Sequence, residues 1–470
     1  MAIPVRIWII VMIFFTTYIN YTTRSNMSMS LPAMVKLLDK GKVVNVPHCR
    51  KGDPTFNPNK TQDDTGVRFH WSQHTQGLVL GAYFYGYTPG SLPAGIISEW
   101  WGPFWTIFVA TAVSAVLNEL CVWGTHLHVG FLFACRFIIG FMGGLVYPAL
   151  QCLIGRWAPP QERGKFVSGL MGNTLGTCLT WIIVGGVTKA WGWEWGFHVL
   201  SIQIVIFLAV FWVFVSDSPE LHTWITDEEL KYIKDSQAGA VTKTKAMPPY
   251  KQIFTSFPFW TLCLLHFGNL WGLYVQIAVV PKFIAEVIGF NIRDSGLVSS
   301  LPHLVRLFLG LGYGVLGDYL KRTRFSREVV LKSFVTCSHI IPGILMACMG
   351  LVKCNYYGAI ALLVLSMSIN GAVVLTNLSN PTDLSPNFAG TIFGIISFIG
   401  GTTGFIVPQI MGALTAAYGN NFTAWGWVFA IGGIVYCSCG IFFIIFGTSK
   451  IQPWNEKKDD PEGAQTTSAG

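Results

Sequence analysis

The sequence predicts an all-α membrane protein of twelve spanning helices in two halves of six, and three observations carry that expectation. Charge is scarce: 11% of the 470 residues are Asp, Glu, Lys or Arg and 52% are hydrophobic, whereas a soluble domain carries roughly 25% charged residues. Apolar stretches able to cross about 30 Å of hydrocarbon recur along the whole length. Helix-terminal signals repeat in the two halves. This composition excludes a soluble globular enzyme and a disordered chain. The net charge of +8 sits mainly in loops, so it reads as topology and attraction for anions, with no nucleic-acid partner.

The first span, 7–36, lacks a small-residue cleavage site and continues for about 30 residues, so it reads as a membrane helix, not a removable signal peptide. Its centre, Thr22-Thr23-Arg24-Ser25-Asn26, is too polar to face lipid. A polar external loop over 37–75 contains Pro47, Pro54 and Pro58. Spans at 76–98, 103–124, 127–156, 162–188 and 196–216 complete an N-terminal bundle over 1–216. The second span holds Tyr83-Phe84-Tyr85-Gly86-Tyr87, whose hydroxyls are candidates to line a path; helix packing or an interfacial belt is the equal alternative. In the fifth, packing is the expectation for Gly172-Asn173-Thr174-Leu175-Gly176.

A central loop over 217–254 separates the halves. Thr226-Asp227-Glu228-Glu229 is a helix-start signal, and Lys231 and Lys234 follow, predicting a short amphipathic helix on the membrane face. Spans at 255–284, 294–318, 328–350, 357–379, 388–416 and 426–447 form a C-terminal bundle over 255–447, and 448–470 is a cytoplasmic tail. In the seventh span His266, Asn269 and Gln276 interrupt an apolar run. A hydrogen-bonded structural role is the expectation for His266, with proton relay as the alternative.

Loop charges set the orientation. Arg156, Arg163, Lys165, Lys321, Arg322, Arg324 and Arg327 lie on one side; only Lys189, Lys282, Arg293 and Lys353 lie in short loops on the other. The positive-inside rule then places both termini in the cytoplasm. The long first loop, basic from Lys36 through Arg68, runs against the rule. Two glycosylation sequons, at Asn59 and Asn421, fall in loops read as external. Eleven cysteines form no framework and no CxxC pair. Cys49 and Cys354 fall on the same side, so whether they pair is left open.

The halves carry matching motifs. Gly95-x-x-x-Glu99 ends the second span and Gly314-x-x-x-Asp318 the eighth; Pro160-x-x-x-Gly164 and Pro386-x-x-x-Gly390 join equivalent helices. This is the pattern of a parallel-repeat transporter. Glu99 and Asp318, with Arg322, are expected to latch one conformation, because a helix-terminal acid can accept from neighbouring backbone amides. Ordinary helix caps are the alternative.

Three arginines sit deep in apolar spans, where each charge costs several kcal/mol unless it faces a cavity or a partner. At ~1.5 Å per residue, Arg24 lies about 18 Å from its helix end, Arg136 about 14 Å and Arg306 about 18 Å. No acid is expected at that depth, since Glu119 lies toward the outer end of its helix and Asp383 toward the inner end of its own. Guanidinium groups in a cavity suit a carboxylate or phosphate, which they grip with two parallel hydrogen bonds. The alternative is a structural pair or a snorkelling side chain. No Walker loop, dinucleotide glycine motif, HExxH or GxSxG occurs, so the protein is not expected to be an enzyme or to need a cofactor. Movement then draws on an ion gradient, with Na+ a candidate coupling ion, or on the membrane potential.

Several segments together resemble the anion:cation symporters of the major facilitator superfamily, a group that includes sialin, the vesicular glutamate transporters and the sodium-dependent phosphate cotransporters. They are Arg24-Ser-Asn26-Met-Ser28, Gly81-Ala-Tyr-Phe-Tyr85-Gly-Tyr87, Arg156-Trp-Ala-Pro-Pro160-Gln-Glu-Arg163, Ser300-Leu-Pro302-His303-Leu before Gly317-Asp318, Asp383-Leu-Ser-Pro386 and Gln452-Pro-Trp454. The resemblance covers nearly the whole chain. It implies two six-helix bundles, alternating access and an anionic substrate, with the family's anion-binding arginines falling on Arg24 and Arg136.

Departures narrow the choice. Where proton-coupled members carry an acid and a histidine in helix four, this chain has Gly143 and Gln151, and a helix-seven arginine of the glutamate transporters corresponds to Asn269. The resemblance is therefore to the phosphate-cotransporter-like branch. Arg306 matches no pattern of the group and stands as a substrate-binding candidate on its depth alone, beside Arg24, Arg136, Asn26, Tyr85 and Asn269. The expectation is a monomeric transporter of phosphate or a small organic anion, driven by sodium or voltage. A proton-coupled lysosomal or vesicular organic-anion transporter and an uncoupled anion channel are the alternatives. No acidic dileucine-type signal occurs near either end, which favours the plasma membrane.

Overall fold

Twelve long helical segments run to and fro in the computed structural model, which describes residues 4–35, 49, 67–71, 73–237, 247–288, 292–321, 325–418 and 421–455. They are α1 (Val5–Met34), α2 (Gln73–Trp101), α3 (Pro103–Leu127), α4 (Val129–Trp157), α5 (163–191) and α6 (Trp193–Phe214) in the first half. The second half has α7 (257–288), α8 (Ile292–Lys321), α9 (Arg327–Leu351), α10 (Tyr356–Leu384), α11 (386–418) and α12 (Phe422–Phe446). The expected spans agree to within a few residues.

Among the described residues, nine of the twelve are long and apolar enough to cross a membrane on length and composition, and α2, α7 and α8 are not. Each shortfall has a visible cause. Helix α8 carries Arg293, Asp294, Arg306, Asp318 and Lys321, and α2 opens on Gln73-His74-Thr75-Gln76. The regular part of α7 ends at Tyr274, where π turns at Val275–Val279 and Ile284–Ile288 widen the coil. Among the described residues, large exposed apolar side chains are most numerous on α6 and α8, followed by α2, α3 and α12, such as Ile206, Phe308, Val116 and Ile434. These are the faces suited to lipid.

Small residues let the helices approach. A Cβ at Gly86 would lie 1.9 Å from the Phe137 carbonyl oxygen, and one at Gly140 2.0 Å from that of Tyr83, so α2 and α4 meet backbone to backbone. Between α2 and α3 the chain reverses at Gly102, whose φ of 105° is open to glycine at little cost. Asp217 then caps α3 by accepting from Phe104 N at 2.9 Å.

The central helix forms at Asp227–Gln237, and Thr226 Oγ1 accepts from Glu229 N at 3.3 Å, as the start signal predicts. It also closes onto the start of the first helix. The buried Glu229 carboxylate accepts from Val5 N at 2.9 Å and Arg6 N at 3.0 Å, capping α1. Arg6 also pairs with Glu162 at 3.0 Å and Glu229 at 3.2 Å. Replacing Glu229 by Gln should cost about 1–2 kcal/mol, because it weakens a charged cap on buried amides. Thermal unfolding in detergent measures this, and an unchanged Tm would remove the cap's role. The tail is tied down too: Gln452 N donates to Leu384 O at 2.9 Å, and Asn455 Oδ1 accepts from Ser385 Oγ and Asn387 N.

Candidate functional site

Of the three deep arginines, Arg24 on α1 is held in an aromatic cage. Its guanidinium carbon lies 4.8–5.6 Å from the ring centroids of Tyr21, Tyr83, Phe84, Tyr87 and Tyr274, and Nη2 donates to the Tyr274 hydroxyl. Ring faces carry negative charge density, so they stabilise the cation without an acid. Tyr21 and Tyr87 also face the other way, into a small cavity of about 30 Å³ between the halves, enough for about two waters. Tyr147, Asn173 and Phe393 complete its walls, with His266, Asn269, Leu270 and Leu273 of α7, Arg306 of α8 and Leu378 of α10.

The structure thus puts Arg306 and Asn269 on the cavity wall and Arg24 directly behind it. Arg306 is buried and donates from Nη1 to Thr174 Oγ1 at 3.2 Å, across the two halves. Asn269 accepts from Asn370 Nδ2 at 3.2 Å. His266 has the structural bond expected of it, at 2.9 Å between Nδ1 and Asn377 Nδ2.

Three expected site residues lie elsewhere. Arg136 reaches from α4 to helix α1, donating from Nη1 to Thr23 O at 2.7 Å and from Nη2 to Arg24 O at 3.3 Å. It holds the backbone that carries Arg24 and does not line the cavity. Asn26 is fully buried and accepts from Ser30 Oγ at 2.9 Å, also off the wall. Tyr85 is 36% exposed, with its ring 6.0 Å from Phe405 and 6.5 Å from Phe133. At about 100° per residue, Tyr85 points some 200° from Tyr83, whereas Tyr87 returns to the same face. That i, i+4 spacing was the available signal for choosing Tyr83 and Tyr87.

The departures in α4 have structural counterparts. A Cβ at Gly143 would lie 2.3 Å from the Tyr83 hydroxyl, so the cage occupies the room an acidic side chain needs there. Gln151 donates from Nε2 to Leu378 O at 3.0 Å, a bond between the halves.

Toward the face that carries Val5 and Gln452, the halves are locked together by two related sets of bonds. Asp318 of α8 accepts from Gly164 N and Lys165 N, both at 2.9 Å, at the start of α5. Glu99 of α2 accepts from Thr391 N at 3.3 Å and Thr391 Oγ1 at 3.1 Å, at the start of α11. Each acid thus meets a helix N-terminus in the opposite half, where the backbone dipole favours negative charge. Arg163 adds an ion pair to Asp383 at 3.1 Å, so both acids noted in the sequence find partners. Glu119, the other, pairs with His198 at 2.6 Å. Arg322, expected in the latch, lies outside the described residues.

On the opposite face a disulfide joins Cys49 to Cys354, with Cα atoms 5.5 Å apart, and ties the first loop to the second half. Asn421 lies on the same face and caps α12, its Oδ1 accepting from Thr423 N and Ala424 N at 3.0 Å. Asn59 is outside the described residues. Among the described residues no cluster of metal-ligating side chains occurs.

The sequence profile described as Major Facilitator Superfamily matches residues 13–408. The chain is 29% identical to human sialin over 94% of its length and 89% of that protein. It is 28% identical to a putative inorganic phosphate cotransporter of Drosophila melanogaster, covering 98% of this chain and 89% of the other. Identity to vesicular glutamate transporter 1 of Bos taurus is 30%, over 84% and 71%. These values are too close to separate the branches. In fold, the chain matches the proton:xylose symporter XylE with a TM-score of 0.66 at 14% identity, covering 95% of this chain and 97% of that one. It matches FucP at 0.59, again at 14%, covering 92% and 98%.

Proposed function

The chain belongs to the major facilitator superfamily, as a relative of its sialin, vesicular glutamate and phosphate transporters, and from that premise we propose that it is a secondary active transporter of inorganic phosphate or a small organic anion, driven by sodium or the membrane potential. The observation that carries the reading is the cavity between the halves, bordered by Arg306 and backed by Arg24, with no acid on its wall. Anions are the ligands that such a surface would hold, through charge-assisted hydrogen bonds in a low dielectric. Tyr274 would release Arg24 as the anion arrives. Arg136 would act at one remove, by holding the α1 carbonyls.

The driving force rests on what α4 lacks. Gly143 and Gln151 neither take up nor release a proton at any ordinary pH, which supports sodium or voltage over a proton gradient. The bonds of Glu99 and Asp318 support alternating access over a continuous channel, because they join the halves across one face. We read that face as cytoplasmic, the protein as a monomer, and its membrane as the plasma membrane.

Uptake of labelled phosphate, urate and sialic acid into proteoliposomes, with sodium, pH and voltage varied separately, tests this. The expected result is saturable, trans-stimulated uptake of at least one anion that responds to sodium or voltage. Current without exchange would leave a channel, and uptake driven by pH alone would restore the proton-coupled alternative.

A further inference from the structure

The anion-transporter reading leaves open what kind of anion, and the hydrogen-bond inventory around the cavity bears on that. A guanidinium has five N–H donors. Among the described residues, Arg24 uses one hydrogen bond, to Tyr274, and Arg306 uses one, to Thr174. The Nε of each is buried without a partner. Arg24 is 7% exposed and Arg306 2%, and among the described residues neither has an ion pair. The ring faces around Arg24 ease its burial, but, among the described residues, neither cation has an anionic partner, which is costly in a membrane interior.

His266 adds a donor to the same wall without adding charge. Thr376 Oγ1 donates to Asn377 Oδ1 at 3.2 Å, so the Asn377 amide nitrogen faces His266 Nδ1 at 2.9 Å and donates to it. With Nδ1 accepting, the pattern assigns the ring proton to Nε2. One cation, Arg306, therefore lines the cavity, and a second, Arg24, stands behind the Tyr21 and Tyr87 rings that line it, one from each half.

We propose, building on the transporter reading, that the substrate carries two negative charges, one taken by Arg24 of the first half and one by Arg306 of the second. A dicarboxylate or the dianion of inorganic phosphate has this chemistry. Binding compensates both cations at once and bridges the halves, while a monoanion leaves one cation unmatched. Arg306 is then the residue that selects for the second charge.

The test uses succinate and its monomethyl ester, which share a skeleton and differ by one charge, together with labelled phosphate. Full-length protein in proteoliposomes should take up or be inhibited by succinate at least about ten-fold more effectively than by the monoester. Arg306→Gln should bring that preference, read as ligand-induced thermal stabilisation, to about one. Arg306→Lys retains the charge and should retain the preference even if Arg306→Gln does not fold. Preference for succinate over its ester supports the proposal, as does phosphate uptake that follows the dianion fraction when pH is raised through the second ionisation of phosphate.

Equal, measurable uptake of succinate and its ester by the natural protein, or phosphate uptake that follows the monoanion fraction, overturns the proposal and leaves the transporter reading intact. Loss of the preference in a folded Arg306→Lys variant, or its survival in a folded Arg306→Gln variant, also overturns it. Failure to handle any anion, single or double, overturns the transporter reading and the proposal with it.

Discussion

Arg24→Gln is expected to lower uptake at least about 100-fold with unchanged surface expression, because a hydrogen bond to a charged group contributes about 1.5–3 kcal/mol and the guanidinium offers two. Arg24→Lys keeps the charge but not the planar fork, so it should fall between the two. Arg136→Ala should also abolish uptake, for a different reason. It removes the bonds that Arg136 makes to Thr23 O and Arg24 O, so the helix carrying Arg24 loses its hold. The two variants separate in binding measurements. Arg24→Gln should lose substrate-induced thermal stabilisation while folding normally, whereas Arg136→Ala should also lower the intrinsic Tm. Normal uptake by either variant would remove the role assigned to that residue.

Breaking the latch should change conformation, not the substrate site. Asp318→Asn replaces a carboxylate that accepts from Gly164 N and Lys165 N with an amide that can accept through only one atom. Weakening these charge-assisted bonds should shift the equilibrium away from the closed terminal face by about 2–3 kcal/mol, roughly 30- to 150-fold. Glu99→Gln acts on the related bonds to Thr391, and the double variant should exceed either alone. Spin-label distances between the α4–α5 and α10–α11 turns report the result directly. If those distances stay unchanged in the double variant, the acids are ordinary helix caps.

Much of this architecture is legible in one dimension. Span lengths follow from the thickness of hydrocarbon, and polar interruptions within them follow from its cost to charge. The latch acids were visible because Gly95-x-x-x-Glu99 and Gly314-x-x-x-Asp318 recur at equivalent helix ends. Their partners were not, since Thr391 and Gly164 offer backbone amides, which every residue has. The capping of α1 by Glu229, 224 residues away, was hidden for a similar reason.

At the site the division is sharper. Sequence alone marked Arg24, Arg136 and Arg306, because a buried guanidinium is conspicuous wherever its neighbours lie. It could not say which of them meets the cavity. That depends on how α1, α4, α7 and α8 rotate and pack, which set Arg136 behind α1, turned Tyr85 outward and placed Tyr83 in the room above Gly143. The pairing of Cys49 with Cys354, left open by spacing, likewise depended on two distant loops meeting. A membrane protein with an attraction for anions can be read residue by residue, because transfer into hydrocarbon is a property of each residue. Which charges face the cavity follows from packing, because partnership is a property of pairs.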